Sequence, residues 1–118
     1  MPYNLFLDDY RNPNIFLNDI RSWVIVRNYK EFIDIIEKSG LPLFVSFDHD
    51  LADEHYAQKT CDYSRFKEKT GYECAKWLVE YCIKTNQKLP LWQVHSMNPV
   101  GMVNIINLLT EYKKTECI

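Results

Sequence analysis

The sequence predicts an α/β fold built on a four-stranded parallel sheet. Three observations carry the prediction. The runs NLFL (4–7), WVIV (23–26), LFVSF (43–47) and LWQV (91–94) have the β-branched and aromatic content of short strands. Between and after them lie segments with helical periodicity and helix start and stop signals. The order strand, connection, strand, helix, strand, helix, strand, helix needs crossovers, which are right-handed and leave the strands parallel. With 118 residues, 47% hydrophobic and 25% charged, the chain reads as one domain over 1–118 with a core of its own.

The first strand, 4–7, ends in Asp8-Asp9. Residues 10–21 show no clean helical period and read as an irregular connection or one short helical turn. The second strand, 23–26, ends in Arg27. Asn28 and Glu31 then form a capping box, N-x-x-E, and Tyr29, Phe32, Ile33 and Ile36 recur on one helical face. Gly40 and Pro42 stop that helix. The third strand, 43–47, is nearly continuous in apolar residues, as suits a strand covered on both sides. It runs into Asp48, His49 and Asp50.

Residues 52–69 are the one long polar segment, either a loop with a lid or binding role or a loop holding a short helix. Thr70 and Glu73 form a second capping box. The helix after it is expected to bury Cys74, Ala75, Leu78, Tyr81 and Cys82. The fourth strand, 91–94, ends in His95-Ser96. Asn98 and Pro99 suit the cap and first turn of a last helix, with Met102, Ile105, Ile106, Leu109 and Tyr112 as its buried face.

In parallel sheets the ligand cleft lies outside the carboxyl ends of the strands. All four ends here are polar: Asp8-Asp9, Arg27, Asp48-His49-Asp50 and His95-Ser96. Burying such groups unpaired costs several kcal/mol or more, so they belong at a cleft. Asp8 or Asp9 with Asp48 or Asp50 suits a hard divalent cation such as magnesium; the alternative is solvated acidic strand ends. His49 and His95 follow different strands and, facing one pocket, divide the roles of general base and general acid. Each alone reads as a core histidine. Arg11 and Arg27 suit forked hydrogen bonds to phosphate, or salt bridges to the aspartates. Ser96 and Asn98 precede a helix N-terminus, an anion site or a simple cap. A Ser-His-Asp triad through Ser96 lacks a nucleophile-elbow pattern. The set of groups suits phosphoryl chemistry better than acyl transfer or redox chemistry.

The net charge of -2 gives no electrostatic footprint for general nucleic-acid binding. The four cysteines, Cys61, Cys74, Cys82 and Cys117, lack zinc spacing and read as reduced thiols. No signal peptide or membrane span is legible, so a cytoplasmic location is expected.

The segments LFLDDYRNP, WVIVRNYKEF, VSFDHDL, TGYECAKWL and WQVHSMNPVGMVNI together resemble the cyclic-phosphate processing receiver-like domain, a relative of response-regulator receivers. The resemblance spans nearly the whole chain. It implies a truncated receiver-like (flavodoxin-like) three-layer sandwich with strand order 2-1-3-4, without the fifth strand and its lysine. By position, Asp8 and Asp9 correspond to the receiver's acidic metal-binding pair, Asp48 to its phospho-accepting aspartate, and His95-Ser96 to its switch position. His49 and Asp50 are not receiver features.

The combined expectation is a phosphoesterase for a cyclic phosphate on a small nucleotide or RNA end. In it, His49, His95, Asp48 and Asp50 are catalytic. Arg11, Arg27, Ser96 and Asn98 bind substrate, and Asp8, Asp9 and Asp48 hold Mg2+. The alternatives are a non-catalytic cyclic-nucleotide binding module and a degenerate receiver phosphorylated on Asp48. An aspartate-nucleophile phosphatase, suggested by D-x-D at Asp48 and Asp50, ranks below these because that motif belongs on the first strand of a larger domain.

Overall fold

A computed structural model describes residues 2–13, 22–51 and 69–116. Most of the 10–21 connection and of the polar 52–69 segment therefore lies outside the described residues. The strands are β1 (Asn4–Leu7), β2 (Trp23–Val26), β3 (Phe44–Phe47) and β4 (Leu91–Val94). The helices are α1 (Tyr29–Ser39), α2 (Gly71–Thr85) and α3 (Pro99–Glu116). All pairings are parallel, in the order β2-β1-β3-β4, as expected.

Each strand spends alternate residues on opposite faces. Leu5, Leu7, Val45 and Phe47 join Phe32, Ile36, Cys74, Leu78, Ile105 and Leu109 in the main core. The three helices touch in series, α1 on α2 and α2 on α3. Phe6, Ser46 and Gln93 share one rung of the opposite face by register. There Phe6 packs edge-on against Trp23, and Trp23 against Phe44.

The helix boundaries follow local signals, and four expectations are corrected. Asn28 caps α1 by accepting from the Glu31 N–H at 2.9 Å, but the Glu31 carboxylate reaches back to the Arg27 N–H. Gly40 ends α1 at φ 84, a backbone angle that glycine takes without a Cβ penalty. Thr70 does not cap α2: its hydroxyl is buried and makes no hydrogen bond among the described residues. The helix is fixed instead by the Gly71 N–H donating to the His49 carbonyl at 2.7 Å. Ile106 is exposed rather than buried, because Ile105 and Leu109 set the inward face of α3. Leu43 is exposed and precedes β3. Cys74 and Cys82 lie buried in the core. No helix among the described residues is long and apolar enough to cross a membrane.

Candidate functional site

The site begins where the ladder hydrogen bonds run one residue past each strand. The N–H groups of Asp8, Asp48 and His95 donate to the carbonyls of Val26, Leu7 and Phe47, respectively. That puts the three residues level at the carboxyl edge. By the two-residue alternation they lie on the face of Phe6, Ser46 and Gln93. One ligand atom from each of Asp8, Asp48 and His95 lies within 4.8 Å of the others. All three residues are buried.

Asp8 is the most heavily bonded. Its Oδ1 accepts from the N–H groups of Tyr10 and Arg11, and its Oδ2 from Arg11 Nε at 2.8 Å and His95 Nε2 at 3.0 Å. Burial alone would raise its carboxyl. The hydrogen bonds and the Arg11 charge outweigh burial and bring it down to about 2. Ionised Asp8 only accepts, so His95 Nε2 carries the proton and His95 Nδ1 accepts from Ser46 Oγ at 2.7 Å. Gln93 donates to the same Ser46 hydroxyl at 3.0 Å. The His95 ring lies flat on Phe6, with centroids 4.5 Å apart. Burial holds the His95 pKa below its ordinary value despite the Asp8 hydrogen bond.

Asp48 is the opposite case. Its Oδ1 accepts from the His49 N–H at 2.9 Å and faces Arg11 Nη2 at 3.3 Å. Its Oδ2 is buried with no hydrogen-bond partner among the described residues. Burial first, then the Asp8 and Asp9 charges, push its carboxyl up to about 7, against the pull of Arg11. The Arg11 guanidinium spans both aspartates and is itself held above its ordinary pKa by them, although burial opposes this. Its side chain is 14% exposed, more than any other member of the cluster.

The structure does not bring His49 and His95 together. A regular strand sends adjacent side chains to opposite faces, and His49 follows Asp48 onto the helix side. Its ring lies so close to Gly101 of α3 that a Cβ there would collide with it. His49 Nδ1 pairs with Asp50 Oδ1 at 2.8 Å, and Asn98 Nδ2 donates to the same oxygen at 3.2 Å. The two histidines therefore stand in separate hydrogen-bond networks. His95 belongs to the acidic cluster, and His49 to a network with Asp50 and the start of α3.

The remaining candidates divide in the same way. Asp9 is half-buried and stands outside the close trio, where His95 takes the place expected for it. Arg27 braces the β1 loop: its Nη1 donates to the carbonyls of Asp8 and Arg11, and its Nη2 to Asn12 Oδ1. Ser96 Oγ accepts from the Asn98 N–H, and Asn98 Oδ1 from the Gly101 N–H, so both serve as caps. Arg27, Ser96 and Asn98 thus carry hydrogen bonds within the fold. Sequence reasoning missed Ser46 and Gln93. Their signal was a lone polar residue in each of two apolar strands, LFVSF and LWQV.

Residues 3–111 match the cyclic-phosphate processing receiver domain. The chain belongs to this family. Its four-stranded order is the receiver-like α/β fold. Neither the curated proteins nor the solved structures give a match.

Proposed function

We propose that this receiver-like domain hydrolyses a cyclic phosphate on a nucleotide or RNA end, at the carboxyl edge of its sheet. The observation that carries the reading is the convergence of Asp8, Asp48 and His95 within 4.8 Å beneath the Arg11 guanidinium. Arg11, the most exposed member, meets the phosphoryl oxygens with forked N–H groups. His95 holds Asp8 in place and is a positioning residue.

Proton transfer falls to His49. The Asp50 carboxylate on Nδ1 fixes the tautomer in which Nε2 is basic, as the aspartate does in a catalytic triad. Water attacks phosphorus and gives a proton to His49. One ring P–O bond breaks, and its oxygen takes that proton back from His49, leaving a phosphate monoester, a hydroxyl and a neutral imidazole. The two faces of the sheet meet at its edge, so a phosphate lying across that edge reaches both networks.

The magnesium ion implied by the receiver resemblance finds suitable donors. Asp8 and Asp48 would hold a divalent cation, and the unpartnered Asp48 Oδ2 is the acceptor such a cation would satisfy. The cation would neutralise phosphoryl charge and acidify water.

The test is incubation with 2′,3′- and 3′,5′-cyclic nucleotides, with magnesium and with chelator, followed by product analysis. Turnover of one class, lost in His49→Ala, is expected. Absence of turnover of every substrate, with His49→Ala indistinguishable from the wild type, overturns the reading. The burial of His49, at 1% exposure, favours a second reading, a non-catalytic module that sequesters the cyclic nucleotide. It predicts calorimetric binding without product, and binding that survives His95→Ala.

A further inference from the structure

We propose that Asp8, Asp48 and His95 form a site for one divalent transition-metal ion of the Mn2+ class, with His95 Nε2 as a nitrogen ligand held by Ser46. The inference deepens the reading of this edge as the reaction site. It departs from the all-oxygen magnesium set of Asp8, Asp9 and Asp48.

Three observations converge. First, Asp8 Oδ2 and His95 Nε2 are 3.0 Å apart. Neighbouring ligands of an octahedral ion with bonds of about 2.1 Å lie about 3 Å apart, so both can meet one ion with little movement. Second, Asp48 is 1% exposed, yet its Oδ2 has no hydrogen-bond partner among the described residues. A dry, unpartnered carboxylate oxygen is costly, and a cation removes the cost. Third, His95 is mounted as metal-ligating histidines are. Its far nitrogen rests on the buried Ser46 hydroxyl at 2.7 Å and its ring plane is fixed by Phe6. Such outer partners orient a ligating imidazole and set its tautomer.

Ser46 also resolves the proton balance. Without metal, His95 Nε2–H donates to Asp8 and Nδ1 accepts from the Ser46 O–H. With metal, Nε2 releases its proton to solvent and offers its lone pair. Nδ1 takes up one proton from solvent and donates it to Ser46 Oγ, which accepts as readily as it donates. No net proton is gained or lost by the ring. The two carboxylates balance a dication. Arg11, which now bridges those same carboxylates, gives way toward solvent. A nitrogen donor favours transition ions over magnesium.

The probe is Mn2+ itself, titrated into the chelator-stripped full chain and followed by the loss of the free-ion EPR signal. One site is expected, with Mg2+ displacing Mn2+ only at concentrations at least about tenfold higher. Pulsed EPR of the wild-type complex should show 14N coupling from the imidazole, and that coupling should vanish in His95→Ala. Ser46→Ala should weaken Mn2+ binding by roughly 10–100-fold.

Absence of a bound ion, or Mn2+ bound without 14N coupling, overturns the proposal. The wild-type spectrum needs no variant, so a misfolded substitution leaves the test intact. Binding is read without substrate. A failed metal site therefore leaves hydrolysis to be judged by turnover in chelator, and failed turnover leaves the metal site standing.

Discussion

Replacing Asp48 by asparagine keeps the shape of the side chain and removes a carboxylate that the fold holds at a loss. In chelator-treated protein, burial and the Asp8 and Asp9 charges raise that carboxyl from 3.8 to about 7. At about 1.4 kcal/mol per pH unit, ionised Asp48 costs the folded state on the order of 4 kcal/mol at neutral pH. The sign follows from the proton count. Between 3.8 and about 7 the folded chain holds the Asp48 proton that the unfolded chain has lost, so this group's contribution to stability falls as pH rises through that window. It is flat above it.

His95 works in the other direction. Its lowered pKa makes unfolding take up a proton as pH falls below 6.5. Asp8, lowered to about 2, stabilises above 3.8, and that support is lost as pH falls from 3.8 toward 2. The difference between the wild-type and Asp48→Asn curves therefore isolates Asp48. Urea melts across pH 4–8 should show the asparagine variant gaining several kcal/mol at pH 7, an increase in Tm of roughly 10–15 °C, and little near pH 4. An Asp48→Asn protein that is less stable at pH 7, or whose advantage over the wild type does not grow between pH 4 and 7, refutes the reasoning.

Two further substitutions probe how the edge is held. In Gly71→Ala the new Cβ falls well inside 3.0 Å of the Asp48 carbonyl oxygen, a backbone atom that cannot turn away. Overpacking of about 3 kcal/mol and loss of the bond to the His49 carbonyl, about 1 kcal/mol, outweigh the gain in helix propensity of at most about 1 kcal/mol. A net loss of about 3 kcal/mol in denaturant melts is expected, and an unchanged midpoint would count against the close approach. Arg27→Lys keeps the charge but loses the fork that ties Asp8, Arg11 and Asn12 together. It should lower stability by about 1–3 kcal/mol and weaken Mn2+ binding, measured by EPR, through disorder at Asp8. Retained stability together with lost nucleotide affinity would show that Arg27 touches phosphate instead.

Local chemistry made much of this protein legible in its sequence. Short β-branched and aromatic runs placed the four strands and period-3.6 patterns the three described helices, Asn28 and Gly40 marked the ends of α1, and strand–helix alternation implied a parallel sheet with its polar residues at one edge. Adjacent residues on a strand must part to opposite faces, so the sequence also required Asp48 and His49 to separate unless the strand bent. Only the tertiary structure decided which partners each then met. Asp8 and His95 are 87 residues apart in the chain and meet through the register of β1, β3 and β4. That register, which no local pattern encodes, chose His95 over Asp9 for the cluster and put Ser46 under its ring. It engaged Arg27, Ser96 and Asn98 in hydrogen bonds within the fold. It left Asp48 Oδ2 buried without a hydrogen-bond partner among the described residues.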